Sequence, residues 1–507
     1  MRAMPSLRRM LCGAAFAAVF LSPALAASAS ATPGSAAVKL QRLAAPRGPL
    51  DNAGRWITDR RGRVVILHGI NMVYKLPPYR PDAVGFSADD AAFLQRNGFN
   101  TVRLGVIEKG VEPQPGQYDG TYVRKLRSTE RILARHGIFS LVDFHQDLYN
   151  EKFGGEGWPD WAVLDDGLPA DPMGFPVTYV TSPGLNRAFD NFWANDTGPG
   201  GVGIQARYAA AWARVARSFK RDRGVLGYDL LNEPWPGTAF GSCRNTAGCP
   251  AFDKGSMAPF YRRVLRQIRG VDRKHVVFYE PQVLFNTDAD TSLPRLGFAR
   301  TGFSFHVYCT PGLVAGAPTD CAEIEQAVFD NADQQSTRTG DALLLSEYGA
   351  TDDTATLTRI ANLADSHMVS WQEWHYCGCS DPTTTGPGDV QALVKDPANP
   401  PRGANVLRNK LKTLARPYPQ AISGTPLSFS FEPATRRFEL VYETKRAKGR
   451  GTFSRGLTDV FLPEIQYPHG YRAQVRGGSL FPASSSRHLI VRAKPGANRI
   501  TLTVAPR

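Results

Sequence analysis

Long hydrophobic runs are absent: the longest apolar stretch, residues 10–21, is shorter than the ~20 residues a membrane-spanning helix needs. A multi-span membrane protein is thereby excluded. Also missing are a Gly-x-Ser-x-Gly elbow, a His-Glu-x-x-His helix and a phosphate-binding loop, which removes three common catalytic plans. Gly198-Pro199-Gly200-Gly201-Val202-Gly203 matches a dinucleotide fingerprint by letters, but it follows no strand pattern and contains proline. Gly 48 and Pro 38 in 507 residues stay below the level where low complexity or disorder is expected. A dense basic stripe is lacking too. The formal net charge is +14, yet Lys and Arg are scattered through helical stretches such as 207–223, and the longest basic cluster, 445–450, is short. No nucleic-acid partner is expected from that pattern; a modest attraction to anionic surfaces, lipid headgroups included, suits it better.

What is present begins with an export signal. Arg2, Arg8 and Arg9 precede the apolar run, and Ala24-Leu25-Ala26 supplies the small residues of a cleavage site. Residues 1–26 therefore read as a signal peptide, 27–45 as a flexible leader, and the mature protein as secreted. Cysteine is sparse, with seven in all, and Cys12 falls in the signal. The other six are Cys243, Cys249, Cys309, Cys321, Cys377 and Cys379. Pairing neighbours would close three loops, but six cysteines allow 15 connectivities, and a bridge between Cys377 and Cys379 would be strained. Free or cross-paired thiols, or a metal site at His375, Cys377 and Cys379, are the alternatives.

From residue 46 to 417 short apolar runs alternate with amphipathic ones. Strand patterns fall at 64–72, 99–106, 138–144, 225–231, 275–280, 302–307, 342–347 and 368–374, with helical patterns at 88–97, 122–136, 206–223, 258–271, 324–339 and 355–366. Strands apolar on both faces and separated by helices imply parallel strands buried by crossovers. Eight such units point to a (β/α)₈ TIM barrel. Long insertions at about 145–205 and 232–256 follow strands, on the face where barrel active sites form. From 418 to 507 only short strand patterns separated by turns remain, which reads as a small all-β sandwich domain.

Polar residues at the ends of the barrel strands are the candidates for chemistry: Arg103, His145, Asp147, Asn232, Glu233, His306, Tyr308, Glu347 and Trp374. Two carboxylates facing each other across one mouth are the apparatus of glycoside hydrolysis, one donating a proton to the departing oxygen and one attacking the anomeric carbon. Arg103 is expected to hold the carboxyl of Glu347 down. Asn232 is a candidate for the sugar 2-hydroxyl and Trp374 for the face of a pyranose ring. Neither metal nor organic cofactor is expected.

The strings NTVRLGV (100–106), VDFHQD (142–147), LLNEPWPG (230–237), FHVY (305–308) and LLLSEYG (343–349) resemble glycoside hydrolase family 5. ILHGINMVYKLPPY (66–79) and FHQDLYNEKFGGEGWPDWA (144–162), with the C-terminal sandwich, are similar to its endoglycoceramidase branch. The resemblance implies a retaining barrel enzyme with Glu233 as acid/base and Glu347 as nucleophile. It implies substrate contacts by Arg103, His145, Asn232, His306, Tyr308 and Trp374. Lys75 and Asp147 resemble branch positions that contact the sugar nearest the ceramide. The implied partner is a glycosphingolipid, with peripheral contact to a membrane or micelle, and the chain is expected to be a monomer. The loop WQEWHYCGC (371–379) maps poorly onto the branch and leaves the accepted headgroup open.

The aromatic content of the first insertion fits a lipid substrate. Trp158, Trp161 and Trp193 are the leading candidates for an apolar lip beside the mouth, against the plainer reading in which they pack the insertion onto the barrel. The rivals are another family 5 glycanase or lipid glycosidase and a non-catalytic glycolipid binder; the second has no use for a paired acid and nucleophile.

Overall fold

A computed structural model describes residues 40–386, 388–481 and 487–507. The expected signal peptide and most of the leader lie outside the described residues. Eight strands form a closed barrel: β1 (His68–Met72), β2 (Thr101–Val106), β3 (Phe139–Phe144), β4 (Val225–Asp229), β5 (Val276–Tyr279), β6 (Thr301–Val307), β7 (Ala342–Tyr348) and β8 (Ser370–Glu373). Neighbours pair in parallel around the ring, with Thr101 opposite Phe139, His68 opposite Trp371, and so to closure. Every strand residue is buried, as both-face apolar patterns require.

The crossovers are α1 (Ala88–Arg96), α2 (Gly120–Arg135), α3 (Ile204–Phe219), α4 (Ala258–Val271), α5 (Cys321–Thr339) and α6 (Thr354–Ser366). Between β5 and β6 only a short turn, Val283–Thr287, replaces a helix. In α2 the residues Tyr122, Val123, Leu126, Thr129, Glu130 and Leu133 face the barrel at three- and four-residue spacing, and Asp119 caps the first turn through the amides of Thr121 and Tyr122. The 145–203 insertion joins β3 to α3 and carries a helix of its own, Pro183–Ala194.

All eight expected barrel strands occur. The first begins later than its apolar run suggests, because Val64 pairs with Ile422 and the amide of Val65 bonds Ile57, placing 64–67 under the barrel. There Leu50, Ile57, Leu67, Leu141, Leu226, Phe278 and Leu344 form one apolar cluster that plugs the N-terminal end. At the other end the buried side chains turn polar, and that contrast positions the site.

Among the described residues the sandwich has eight strands: β9 (Tyr418–Ala421), β10 (Thr425–Glu432), β11 (Arg437–Glu443), β12 (Leu457–Phe461), β13 (Tyr471–Arg476), β14 (Gly478–Phe481), β15 (His488–Ala493) and β16 (Arg499–Pro506). They form two sheets in the orders β9-β12-β15-β14 and β10-β11-β16-β13. Prolines hide β9 and a double glycine hides β14 from a pattern search. Tyr418 joins the domains: its ring stacks 3.7 Å from His68, and its hydroxyl donates to the carbonyl of Gly98 at 2.5 Å. Among the described residues no helix is long and apolar enough to cross a membrane.

Candidate active site

Arg103 lies at the centre of the polar end, fully buried on β2. Its guanidinium donates to Glu347 at 3.0 Å, Glu280 at 2.8 Å, Asp229 at 3.2 Å and Asn232 at 2.9 Å, and lies 3.0 Å from Asp143. Asn71 on β1 accepts from it at 3.3 Å. One side chain thus gathers groups from β1, β3, β4, β7 and the segments after β4 and β5. A planar fork with five donors can do this; a lysine cannot.

Glu233 and Glu347 face each other above it. A Glu233 oxygen, a Glu347 oxygen and a His306 nitrogen all lie within 4.8 Å of one another. Tyr308 donates to Oε1 of Glu347 at 2.8 Å, while Arg103 holds Oε2. On Glu233, Oε1 is hydrogen-bonded by Asn286 at 2.6 Å and by His306 Nδ1 at 2.9 Å. Oε2 accepts no hydrogen bond among the described residues. Glu233 also has a left-handed backbone, φ 42°, which is strained for a residue with a side chain. Its amide donates to Oε2 of Glu280 at 2.9 Å, fixing that turn.

The charges of this group are interlocked. Burial works against a proton on His306, but Glu280, Glu347 and Glu233 raise it well above the ordinary imidazole value. Burial likewise opposes ionisation of Glu280, and His306 and Arg103 overcome it, holding that carboxyl low. For Glu347 burial prevails and the carboxyl is raised, although His306 and Arg103 pull it down. This corrects the expectation that Arg103 keeps Glu347 low: its charge is divided among four carboxylates. Tyr308 stays a phenol, pushed far up by burial and by Glu347.

A second polar group sits beside Trp374. Lys75 donates to Asp147 at 2.6 Å and to Thr383 at 2.7 Å, lies 3.2 Å from Asp381, and sits 4.5 Å above the Trp374 ring. Burial disfavours its charge, but Asp147 and Asp381 keep it protonated. His145 stacks on Trp374 at 5.3 Å and bonds Asp143 at 2.8 Å. Burial opposes its proton, and the two aspartates raise it to about 9. Asn232 is buried, with Oδ1 on Arg103 and Nδ2 donating to the carbonyl of Gln146. Three sets of side chains come close enough to share a cation: Glu233–His306–Glu347, Asp143–Asp229–Glu280 and His145–Asp147–Glu156. In each, Arg103 or Lys75 already stands against at least one of the carboxylates.

All ten sequence candidates thus meet in two adjoining clusters. Sequence reasoning passes over Glu280, Asn286, Asn71, Asp143, Asp229, Asp381 and Thr383. Glu280 follows the apolar run of β5 just as Glu347 ends that of β7, so its signal was there to read.

The aromatic lip is not where the sequence suggests. Trp158 is buried, stacked 4.2 Å from Tyr149 and edge-on to Phe189 and Phe192. Trp161 donates to the carbonyl of Glu112 beneath Arg207, and Trp193 donates to that of Trp235 against Phe252 and Phe260. These rings fasten the insertion to the barrel. Its exposed large apolar side chains are Leu168, Met173, Val177, Val180 and Val202, with Met173 67% exposed. The cysteines pair as sequence neighbours, 243–249, 309–321 and 377–379, so Cys377 and Cys379 offer no thiolates for a metal beside His375.

Residues 59–380 match the family model for cellulase (glycosyl hydrolase family 5), and residues 416–504 match that for the glycoside hydrolase family 5 C-terminal domain. Endoglycoceramidase I of Rhodococcus hoagii (strain 103S) is 32% identical over 475 residues, covering 91% of this chain and 89% of that protein. The endoglycoceramidase of Hydra vulgaris is 28% identical, over 83% of this chain and 81% of its own. Among solved structures, endo-glycoceramidase II from Rhodococcus sp. as a lactosyl-enzyme intermediate has a TM-score of 0.72 at 29% identity. The same enzyme in complex with ganglioside GM3 has a TM-score of 0.70 at 27% identity. Both comparisons cover 89% of this chain and 99% of the other. With a catalytic-domain model spanning more than half of its length, and two glutamates and an arginine converging at the barrel mouth, the chain belongs to glycoside hydrolase family 5.

Proposed function

We propose that the protein is a secreted, retaining endo-glycosidase that hydrolyses the β-glycosidic bond between the glycan and the ceramide of glycosphingolipids. The observation that carries this reading is the approach of Glu233 and Glu347 to within 4.8 Å. One oxygen of each glutamate thus comes closer to the other than the ~6.5–9.5 Å that separates the carboxyls of an inverting enzyme, which suits direct attack. Glu347, positioned by Arg103 on one oxygen and Tyr308 on the other, attacks the anomeric carbon as its carboxylate. Glu233 gives the proton on Oε2 to the ceramide oxygen as that bond breaks. The glycosyl-enzyme then reacts with water, which Glu233 deprotonates, and Glu347 leaves. The lactosyl-enzyme intermediate of the Rhodococcus relative supports the covalent step, and its GM3 complex supports the substrate class.

Trp374 would underlie a sugar ring, with Lys75 and Asp147 reaching the hydroxyls of the sugar nearest the ceramide. The lipid would lie against the exposed tip of the insertion, Leu168, Met173, Val177 and Val180. Three disulfides and the signal-peptide pattern at 1–26 support export. Incubation with glycosphingolipids, cellulose and mannan side by side, with products identified by mass spectrometry, tests the reading. Release of intact glycan and free ceramide is expected; turnover of the polysaccharides alone would refute it.

A further inference from the structure

Positive charge that is scattered along the sequence is gathered in space, which corrects the reading of an even spread. Two linked grooves run down the outer wall of the barrel. The first, of about 390 Å³ between α2 and α3, is lined by Arg124, Arg127, Arg214, Arg217, Lys220 and Arg221. The second, of about 550 Å³, continues past Arg221 towards the N-terminal end of the barrel and adds Arg47, Arg60, Arg131, Arg135 and Arg223. Eleven cations face three carboxylates, a surplus of eight in a chain of net charge +14.

Those three carboxylates do little to neutralise the wall. Asp119 caps α2, Asp222 is held by Arg127 at 2.5 Å, and Glu130 is buried. The side chains of Arg217, Lys220, Arg221 and Arg223 have no partner among the described residues. Arg214 lies over the Tyr118 ring at 5.5 Å, which holds its guanidinium in place. Favourable placement at a helix C-terminus would explain Arg217 and Lys220. It does not explain Arg124 and Arg131 on α2, or Arg47 and Arg60 from the N-terminal segment.

We propose that this wall binds anionic phospholipid and seats the enzyme on the membrane that carries its substrate. Guanidinium forks match phosphate oxygens, and two joined grooves are too extended for one small anion. The insertion that bears Leu168, Met173, Val177 and Val180 lies at the mouth, ahead of α3, whereas the grooves follow α3 towards the other end of the barrel, so the wall is a contact separate from that apolar surface. A cluster of exposed basic side chains is drawn to an anionic bilayer surface, by about 1 kcal/mol per residue near it. The purpose of the surface rests on the proposed glycosphingolipid substrate; its existence does not.

The test is co-sedimentation of the full chain with vesicles of phosphatidylcholine alone or with one fifth phosphatidylglycerol. Binding to the anionic vesicles is expected to be about tenfold tighter or more, and to weaken as salt is added. The double variant Arg217→Glu/Arg221→Glu, at exposed unpartnered positions, should lose most of that difference while keeping the melting temperature of the parent. Equal binding to both vesicles, or undiminished binding by the variant, overturns the proposal. Capture of soluble polyphosphate without capture of vesicles also overturns it and makes the grooves a site for a free polyanion. No substrate enters this assay, so its failure is distinct from failure to cleave glycosphingolipids.

Discussion

Replacing Glu280 by Gln probes the least obvious member of the site. The carboxylate makes three contacts: Oε2 accepts the amide of Glu233, while Oε1 accepts from Arg103 and lies 3.3 Å from His306 Nε2. Glutamine keeps one acceptor oxygen, for the Arg103 side or for the Glu233 amide but not both, and loses the negative charge. Losing one hydrogen bond to a charged partner costs ~1.5–3 kcal/mol. The strained turn at Glu233 then has less to hold it, and His306 loses the counter-ion on its far side. If that cost falls on the placement of the proton donor, kcat drops ~10- to 100-fold. The assay is kcat and KM on a glycosphingolipid and on a soluble aryl glycoside with an activated leaving group. The aryl substrate departs without protonation, so its loss should be much the smaller. Equal losses on both substrates, or a loss below about threefold, would refute the positioning role and leave Glu280 as a structural ion-pair partner.

Other outcomes follow from the same geometry. Glu347→Gln should abolish turnover of every substrate while leaving glycolipid binding measurable, and Glu233→Ala should retain an activated aryl substrate far better than a ceramide one; steady-state kinetics decide both. Trp158→Ala should cost ~3–5 kcal/mol of stability by emptying a ring-packed site, seen as a lowered Tm. Met173→Asp with Val177→Asp should leave Tm unchanged and depress action on ceramide substrates only. Burial, with Asp222 adding to it, raises the carboxyl of Glu130 to about 7. Stability from its protonated form is therefore present below the ordinary Glu range and lost as pH rises through about 7. Glu130→Gln should raise Tm at pH 8, by up to ~3 kcal/mol in stability, and change it little at pH 4.

The barrel is legible because its signal is one-dimensional. Each strand is apolar on both faces and each helix on one, and the first polar residue after an apolar run must stand at the mouth. Glu233, Glu347, Arg103 and His306 are found this way, and Glu280 obeys the same rule. Asn286, Asp381 and Thr383 sit on irregular connections, where no period reports direction, and only the fold carries them to the site. Trp158 shows the opposite failure. An aromatic residue in an insertion near a mouth has the composition of a lipid lip, but composition does not encode which side of the insertion a ring faces. Met173 and Val177, less conspicuous in sequence, are the exposed ones.

Barrel closure also creates an electrostatic problem that no local pattern announces. Asp143, Asp229, Glu280 and Glu347 come from four different strands or strand ends, and each follows or ends an unremarkable apolar run. Closing the ring brings them all onto Arg103. Arg103 alone does not balance four buried carboxylates, and His145 beside Asp143 and His306 beside Glu280 and Glu347 supply further positive charge. Burial and the neighbouring Glu280 and Asp143 push the carboxyl of Asp229 well up, outweighing Arg103, while Glu280 is held low by His306 and Arg103. Substrate entering the mouth displaces water from Glu233 and Glu347 and tightens every one of these couplings. The network thereby favours negative charge on Glu280 beneath the strained turn of Glu233 and disfavours it on Asp229.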